Sequence, residues 1–250
     1  MSEHVRIERE DGVLAITLAR PERRNAITVA MYDALAGAFE SLADDSETRI
    51  VTIQGEGVDF AAGNDLADFL EAAPRIDEEI PVWRLLRALA GCQTPIVAAV
   101  HGNCVGIGTT ILLHCDLVVA DPTARFWMPF VDLGLVPEAG SSLLFPRLAG
   151  RRRAARFLLL GEPFGTDEAL EIGLISHAVG RDDLAAKLDE IVRTLLAKPA
   201  EALRETQRLI RHATRDEVLE WMELESRTFA KRLQSAEAKQ ALSAFFEKKR

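Results

Sequence analysis

The sequence has little of what marks several protein classes. Its three cysteines, Cys92, Cys104 and Cys115, are odd in number and make no C-x-x-C pair. No disulfide framework or zinc knuckle follows, and a reducing cytoplasm is the expected compartment. Basic charge is in deficit, with 30 Lys and Arg against 39 Asp and Glu and a net charge of −9. A general nucleic-acid or anionic-membrane binder needs a basic surplus facing phosphate, so neither partner is expected. Met1-Ser2-Glu3-His4 carries no basic n-region and no apolar h-region, so no secretory signal is expected. The most apolar stretch, Ile96 to Ala120, is interrupted by His101, Asn103, His114, Asp116 and three glycines. It reads as buried core, not as a membrane span. H-E-x-x-H and carboxylate clusters at metal spacing are missing, so no metal is expected. The G-x-S-x-G elbow, G-x-x-x-x-G-K-[ST] and G-x-G-x-x-G are missing too, which disfavours a serine nucleophile, nucleotide hydrolysis and dinucleotide binding.

What is present is a chain of 250 residues, 48% of them hydrophobic, enough for one α/β domain with a sizeable core. Residues 5–19 read as a hairpin turning at Asp11-Gly12. Thr28 is placed to cap a helix with Met31, Leu35, Ala38, Phe39 and Leu42 on its apolar face. Strands are expected at 50–54, 96–100 and 116–120. Residues 66–92 read as helix broken near Pro74 and Pro81, and Glu138 as the start of a helix toward Leu148. Beyond Ala149 the pattern is nearly all helical, at 151–160, 166–172, 183–197, 200–213 and 215–247. The expected organisation is a β/α core over 1–195 and a helical region over 196–250. The terminal helix carries apolar residues with little to bury against locally, which points to subunit packing.

Two glycine-bearing loops follow strands and precede helices: Phe60-Ala61-Ala62-Gly63-Asn64-Asp65-Leu66 and Gly102-Asn103-Cys104-Val105-Gly106-Ile107-Gly108. Such junctions leave the first helical N–H groups unpaired, with the positive end of the dipole behind them. Two facing junctions would put two backbone donors on one oxygen, the geometry of an oxyanion hole.

The first loop resembles the F-[SAC]-[AS]-G-x-D-[LI] element of the crotonase (enoyl-CoA hydratase/isomerase) superfamily. Arg20-Pro21 to Asn25-Ala26, His101-Gly102 to Gly108, Cys115-Asp116 to Ala120 and Gly161 to Gly173-Leu174-Ile175 match in the same order, over nearly the whole chain. The resemblance implies an α/β spiral of β-β-α turns with a C-terminal helical trimerisation region. It also implies an acyl thioester of coenzyme A as substrate, with no further cofactor, and a homotrimer or dimer of trimers. The oxyanion amides would be those of Asn64 and Ile107. Relatives usually have glycine where Ile107 stands.

Hydratases of this family carry two glutamates, at the positions of Thr110 and Phe130, and neither replacement can transfer a proton in that way. Leu135-Val136-Pro137-Glu138-Ala139-Gly140-Ser141-Ser142 instead resembles the P-E-[AG]-x-[SA]-S segment of the peroxisomal-type Δ3,Δ2-enoyl-CoA isomerases and their bacterial relatives. That resemblance implies Glu138 as the single base. Asp132 and Asp65 are rival acids, Asp65 also being placed to cap the following helix. An apolar lining is expected from Phe126, Trp127, Phe130, Leu133 and Val136. For the coenzyme, the resemblance implies Arg24 at the phosphates, with Arg23 as a substitute. Ala26, Ala62, Asp65 and Leu66 would lie along the pantetheine and adenine, and Phe245 and Lys248 near the C-terminus. Hydration, or acyl-CoA binding without catalysis, are the alternative functions.

Overall fold

The computed structural model describes residues 2–68, 81–212 and 214–248, the last three as backbone only. It opens on the expected hairpin, β1 (Val5–Glu10) and β2 (Val13–Leu18). Asp11 and Gly12 both take positive φ, 48° and 80°, the twist that a tight hairpin turn requires. β2 then pairs in parallel with β3 (Ile50–Gly55), β3 with β4 (Ile96–Val100), β4 with β6 (Leu117–Ala120) and β6 with β9 (His177–Ala178). The result is a six-stranded sheet in the order β1-β2-β3-β4-β6-β9.

A second sheet of three short strands runs beside it: β5 (Asn103–Val105), β7 (Arg125–Trp127) and β8 (Phe164–Gly165), in the order β5-β7-β8. The chain leaves the large sheet at β4, adds β5 to the small one, and enters helix α3 (Ile107–Thr110). It repeats the excursion through β6 and β7 before helix α4 (Ser141–Ala149). This is the spiral of β-β-α turns that the resemblance implies. Helices α1 (Val29–Glu40) and α2 (Pro81–Gly91) precede it; α5 (Arg151–Leu159), α6 (Thr166–Glu171), α7 (Leu184–Leu196), α8 (Ala200–His212), α9 (Arg215–Leu233) and α10 (Ala236–Lys248) follow.

Strand alternation divides the core in two. Val51, Ile53, Ile96, Ala98, Val100 and Val118 face the main core, while Ile50, Val97, Ala99 and Val119 meet Leu188 and Ile191 of α7. A strand buried on both faces reads as an unbroken apolar run, as Ile96-Val97-Ala98-Ala99-Val100 does. An aromatic group ties the small sheet to α4 and α5. Phe164 stacks 5.4 Å from Phe126 and lies 4.3 Å from Phe157, which packs 5.9 Å from Phe145.

Several expectations are corrected. The short strands β5, β7, β8 and β9 escape a reading that relies on alternation, because two or three residues show no period. The helix placed at Glu138 starts three residues later, after Ala139 and Gly140, both left-handed at φ 61° and 71°. Of the helix expected over 66–92, α2 is described from Pro81, a residue that a first turn accepts because its N–H is not needed there; Pro74 lies outside the described residues. The last expected helix is two, interrupted where the Ser235 hydroxyl accepts from the Ala238 amide at 3.1 Å. The apolar residues Ala238 and Leu242 of α10 are buried in the chain's own core, so they do have local partners. Among the described residues no helix is long and apolar enough to cross a membrane.

Gly102 takes φ +58°, and a Cβ there would sit 2.0 Å from the Val58 carbonyl oxygen. Gly102→Ala is therefore expected to cost at least about 1–3 kcal/mol. Gly37→Ala on α1, where nothing lies within 4 Å, is expected to be neutral or stabilising by up to about 1 kcal/mol. Urea-denaturation midpoints of the two variants check the contrast.

Candidate active site

The segment 24–27 lies along one edge of the first loop. Ala62 N–H donates to Arg24 at 2.9 Å, Ile27 N–H to Gly63 at 2.8 Å and Asp65 N–H to Ile27 at 2.9 Å. Those bonds turn the Asn64 amide to the opposite edge. In the second loop Gly106 N–H donates to Trp127 at 2.7 Å, and Thr109 and Thr110 close on the Gly106 carbonyl at 2.9 and 3.0 Å. Ile107 is then the first residue of α3, where an N–H has no carbonyl behind it. Among the described residues neither amide donates to an acceptor.

A parallel bridge between Ala61 and Cys104 holds the loops together, with Val105 N–H on the Ala61 carbonyl at 2.9 Å. The approach leaves no slack. A Cβ on Gly63 would be 3.1 Å from the Val105 carbonyl oxygen, and one on Gly108 would be 3.0 Å from the Ala61 methyl. Ile107 needs no such freedom. Gly106 carries the left-handed conformation at φ +54°, and the Ile107 side chain is buried in the core.

Both residues line one cavity of about 980 Å³. Arg24, Ala26, Ala62, Asp65, Leu66, Phe130 and Phe245 line it as well, together with Arg23, Trp127, Asp132, Leu133 and Phe229. Phe126 belongs instead to the aromatic group, and Val136 packs against the core. The Lys248 side chain lies outside the described residues. Arg24 has its Nε 3.8 Å from Asp59 and a side chain 69% exposed, free to swing toward an anion. Asp65 pairs with Arg20 at 2.8 Å and caps the turn beginning at Leu66, with Asp68 N–H 3.4 Å from its Oδ1. Burial raises the Asp65 carboxyl, but the hydrogen bond and charge of Arg20 together with the backbone N–H groups of Asp68 and Ala67 outweigh it and hold the group below the usual range. The Asp132 carboxylate also faces the cavity and lies against Gly161.

Glu138 is 6% exposed and is not among the residues that line the cavity. Its Oε1 accepts from the hydroxyl of Thr110 at 2.5 Å, less than one turn of α3 beyond Ile107, which does line it. Burial pushes its pKa up to about 8, the Thr110 bond opposes the shift, and the charge of Glu225 adds to it. Two neighbours escaped the sequence reading. The Tyr32 hydroxyl donates to Asn64 Oδ1 at 2.5 Å, orienting the residue whose amide faces the cavity. Burial, then the charge of Glu138, raises the phenol well above its ordinary value. Tyr32 is the single tyrosine of the chain, and it sits beside the apolar face of α1, which is the signal that could have found it. Glu225 interrupts the apolar stripe of α9 in the same way, between Met222 and Phe229. His114 donates Nε2–H to the Ala139 carbonyl at 2.7 Å, and burial lowers its pKa to about 4, so the ring is neutral near pH 7. Among the described residues no three His, Cys, Asp or Glu side chains are grouped to hold a metal ion.

The geometry has relatives. The family model described as enoyl-CoA hydratase/isomerase matches residues 8–250. The chain belongs to the enoyl-CoA hydratase/isomerase family. It is 33% identical to the 1,2-epoxyphenylacetyl-CoA isomerase of Escherichia coli K12, over 100% of this chain and 97% of that protein. It is 31% identical to the enoyl-CoA delta isomerase 2 of Rattus norvegicus, over 99% of this chain and 64% of that longer protein. The structure of Pseudomonas aeruginosa OdaA superposes with a TM-score of 0.93 at 41% identity, covering 98% of this chain and 99% of that one. The fold is thus the crotonase fold of this family.

The buried Glu138 makes stability depend on pH. Its folded pKa of about 8 lies above the ordinary value of 4.5, so between those pH values the unfolded chain binds fewer protons than the folded one. Stability is then lost as pH rises through that window. Glu138→Gln is expected to flatten this slope, being more stable than the parent at pH 8 by a margin that vanishes near pH 4. Denaturant titrations across pH 4–9 measure it.

Proposed function

We propose that this chain shifts a double bond from Δ3 to Δ2 in enoyl-CoA thioesters, with Glu138 as the base. The observation that carries the reading is a desolvated carboxyl hydrogen-bonded to α3, the helix whose first residue, Ile107, lines one cavity with Asn64, both with backbone amides that have no acceptor among the described residues. The migration removes a proton from C2 and returns one to C4. One carboxylate held between those carbons does both and needs no water. Its basicity follows from its burial, because a carboxylate that is costly to ionise takes up a carbon-bound proton more readily.

The intermediate is a dienolate with its charge on the thioester oxygen, where the amides of Asn64 and Ile107 would hold it. Each such donor is worth roughly 2.7–4 kcal/mol, so two supply about 5–8 kcal/mol, or about 10⁴–10⁶ in rate. The exposed Arg24 and Arg23 suit the phosphates of coenzyme A. Ala26, Ala62, Asp65, Leu66 and Phe245 suit its pantetheine and adenine, and Phe130 the acyl chain. No cofactor is invoked beyond the coenzyme of the substrate. The likeness to an enoyl-CoA delta isomerase supports this reading, while the family description embraces hydration too. Hydration is the second reading, favoured by Asp132, a carboxylate on the cavity wall able to hold a water. Exposed apolar side chains on α8 and α9, Leu209, Ile210, Trp221 and Leu224, support packing against a further copy; a homotrimer or dimer of trimers in the cytoplasm belongs to the same proposal.

Incubation with a 3-enoyl-CoA and, separately, with crotonyl-CoA discriminates the reactions: isomerisation without hydration is expected, and fast hydration alone reverses the assignment. Glu138→Gln should retain acyl-CoA binding and lose turnover by about 10²–10⁴; parental turnover would clear Glu138. Because the base must be ionised, kcat/KM of the parent is expected to rise with pH through about 8, which a pH–rate profile reads directly.

A further inference from the structure

We propose that Glu225, in the C-terminal helical region, is a positioning residue for Glu138, its buried carboxylate clamping the turn that aims the Glu138 side chain. The proposal rests on the reading of Glu138 as the base. Helix α9 buries Val218, Met222, Phe229 and Leu233, and helical spacing places Glu225 in that same stripe. A carboxylate in an apolar stripe needs partners. It finds them on another element: Glu225 Oε2 accepts from Gly140 N–H at 2.6 Å, and Oε1 accepts from Ser142 N–H at 2.8 Å and from the Ser142 hydroxyl at 2.5 Å. Trp221, one turn earlier on α9, donates Nε1–H to the same hydroxyl at 2.9 Å.

These bonds supply what α4 lacks. Its N-cap is Gly140, which has no side chain to offer, so Glu225 caps α4 from outside and opposes the positive end of its dipole. The capped turn is strained. Ala139 sits at φ 61°, a conformation that alanine leaves when unrestrained. His114 holds the Ala139 carbonyl from one side and Glu225 holds the next residue, Gly140, from the other. With the second hold removed, Ala139 can relax, and Glu138, directly before it, turns with the backbone.

Charge works in the same direction. The groups around Glu138 are Tyr32 from α1, Thr110 from α3, His114 from the turn after α3 and Glu225 from α9. Arg211 of α8 faces His114, binding its carbonyl oxygen at 2.5 Å. Of these only Glu225 adds a negative charge that disfavours ionised Glu138 near neutral pH. Burial raises the Glu225 carboxyl above its ordinary value, its three donors opposing the rise without cancelling it.

A carbon-13 NMR titration of the Glu138 carboxyl, assigned by its loss in Glu138→Gln, tests this beside steady-state kinetics on a 3-enoyl-CoA. In Glu225→Gln the titration midpoint is expected to fall by about one pH unit, and kcat by about tenfold to 100-fold with KM little changed. Glu225→Asp keeps the charge but shortens the reach, so kcat falls while the midpoint stays. A parental midpoint and parental kcat in Glu225→Gln, even with a lowered melting temperature, would reduce Glu225 to a stabilising contact and overturn the proposal. If Glu225→Gln does not fold, the Asp variant decides, and parental kcat overturns it. Parental turnover in Glu138→Gln would sink the base assignment instead, while the titration would still report whether Glu225 holds that carboxyl.

Discussion

The parallel bridge between Ala61 and Cys104 is the constraint on which the candidate site depends. It sets two strand-to-helix junctions side by side, so that Asn64 and Ile107, whose amides have no acceptor among the described residues, line one cavity. Small residues make that approach possible: Gly63 against Val105 and Gly108 against Ala61 leave no room for a β-carbon at ordinary distance. A backbone donor of this kind is preorganised by the sheet and the helix that it joins, and it costs no reorganisation when charge develops before it.

Glu138 stands in a different kind of environment, and the two complement each other. Water is kept from it, so its charged form is expensive and its basicity high. The same desolvation weakens the fold as pH rises from 4.5 toward about 8, a local cost in stability of the sort that functional sites carry. The surrounding groups are drawn from α1, α3, α8 and α9, so the C-terminal helices are part of the architecture of the site. Arg211 binds the His114 carbonyl, Glu225 caps α4, and Phe229 and Phe245 reach the cavity wall.

Much of this was legible from residue patterns. Strongly periodic elements, the hairpin, α1 with its Thr28 cap and the apolar strands β3 and β4, stand where alternation and helical spacing place them. The collinear motifs pointed to the family and to Asn64, Ile107, Arg24 and Phe130, all of which line one cavity. The misses share a cause. Strands of two or three residues are stabilised by their neighbours and leave no period to read. The turn at Ala139–Gly140 is imposed by clamps from distant segments, and alanine does not advertise a left-handed conformation.

Local chemistry, then, determined which segments become strands and helices, where two glycine loops interrupt them, and that an acid follows Pro137. It did not determine what that acid experiences. The desolvation of Glu138, its bond to Thr110, the tyrosine behind Asn64 and the carboxylate that α9 sends across to α4 exist only once segments far apart in the chain are packed together. Hydrogen bonds and Coulomb forces act through space over a few ångströms, and sequence separation carries no information about such distances until the fold has closed.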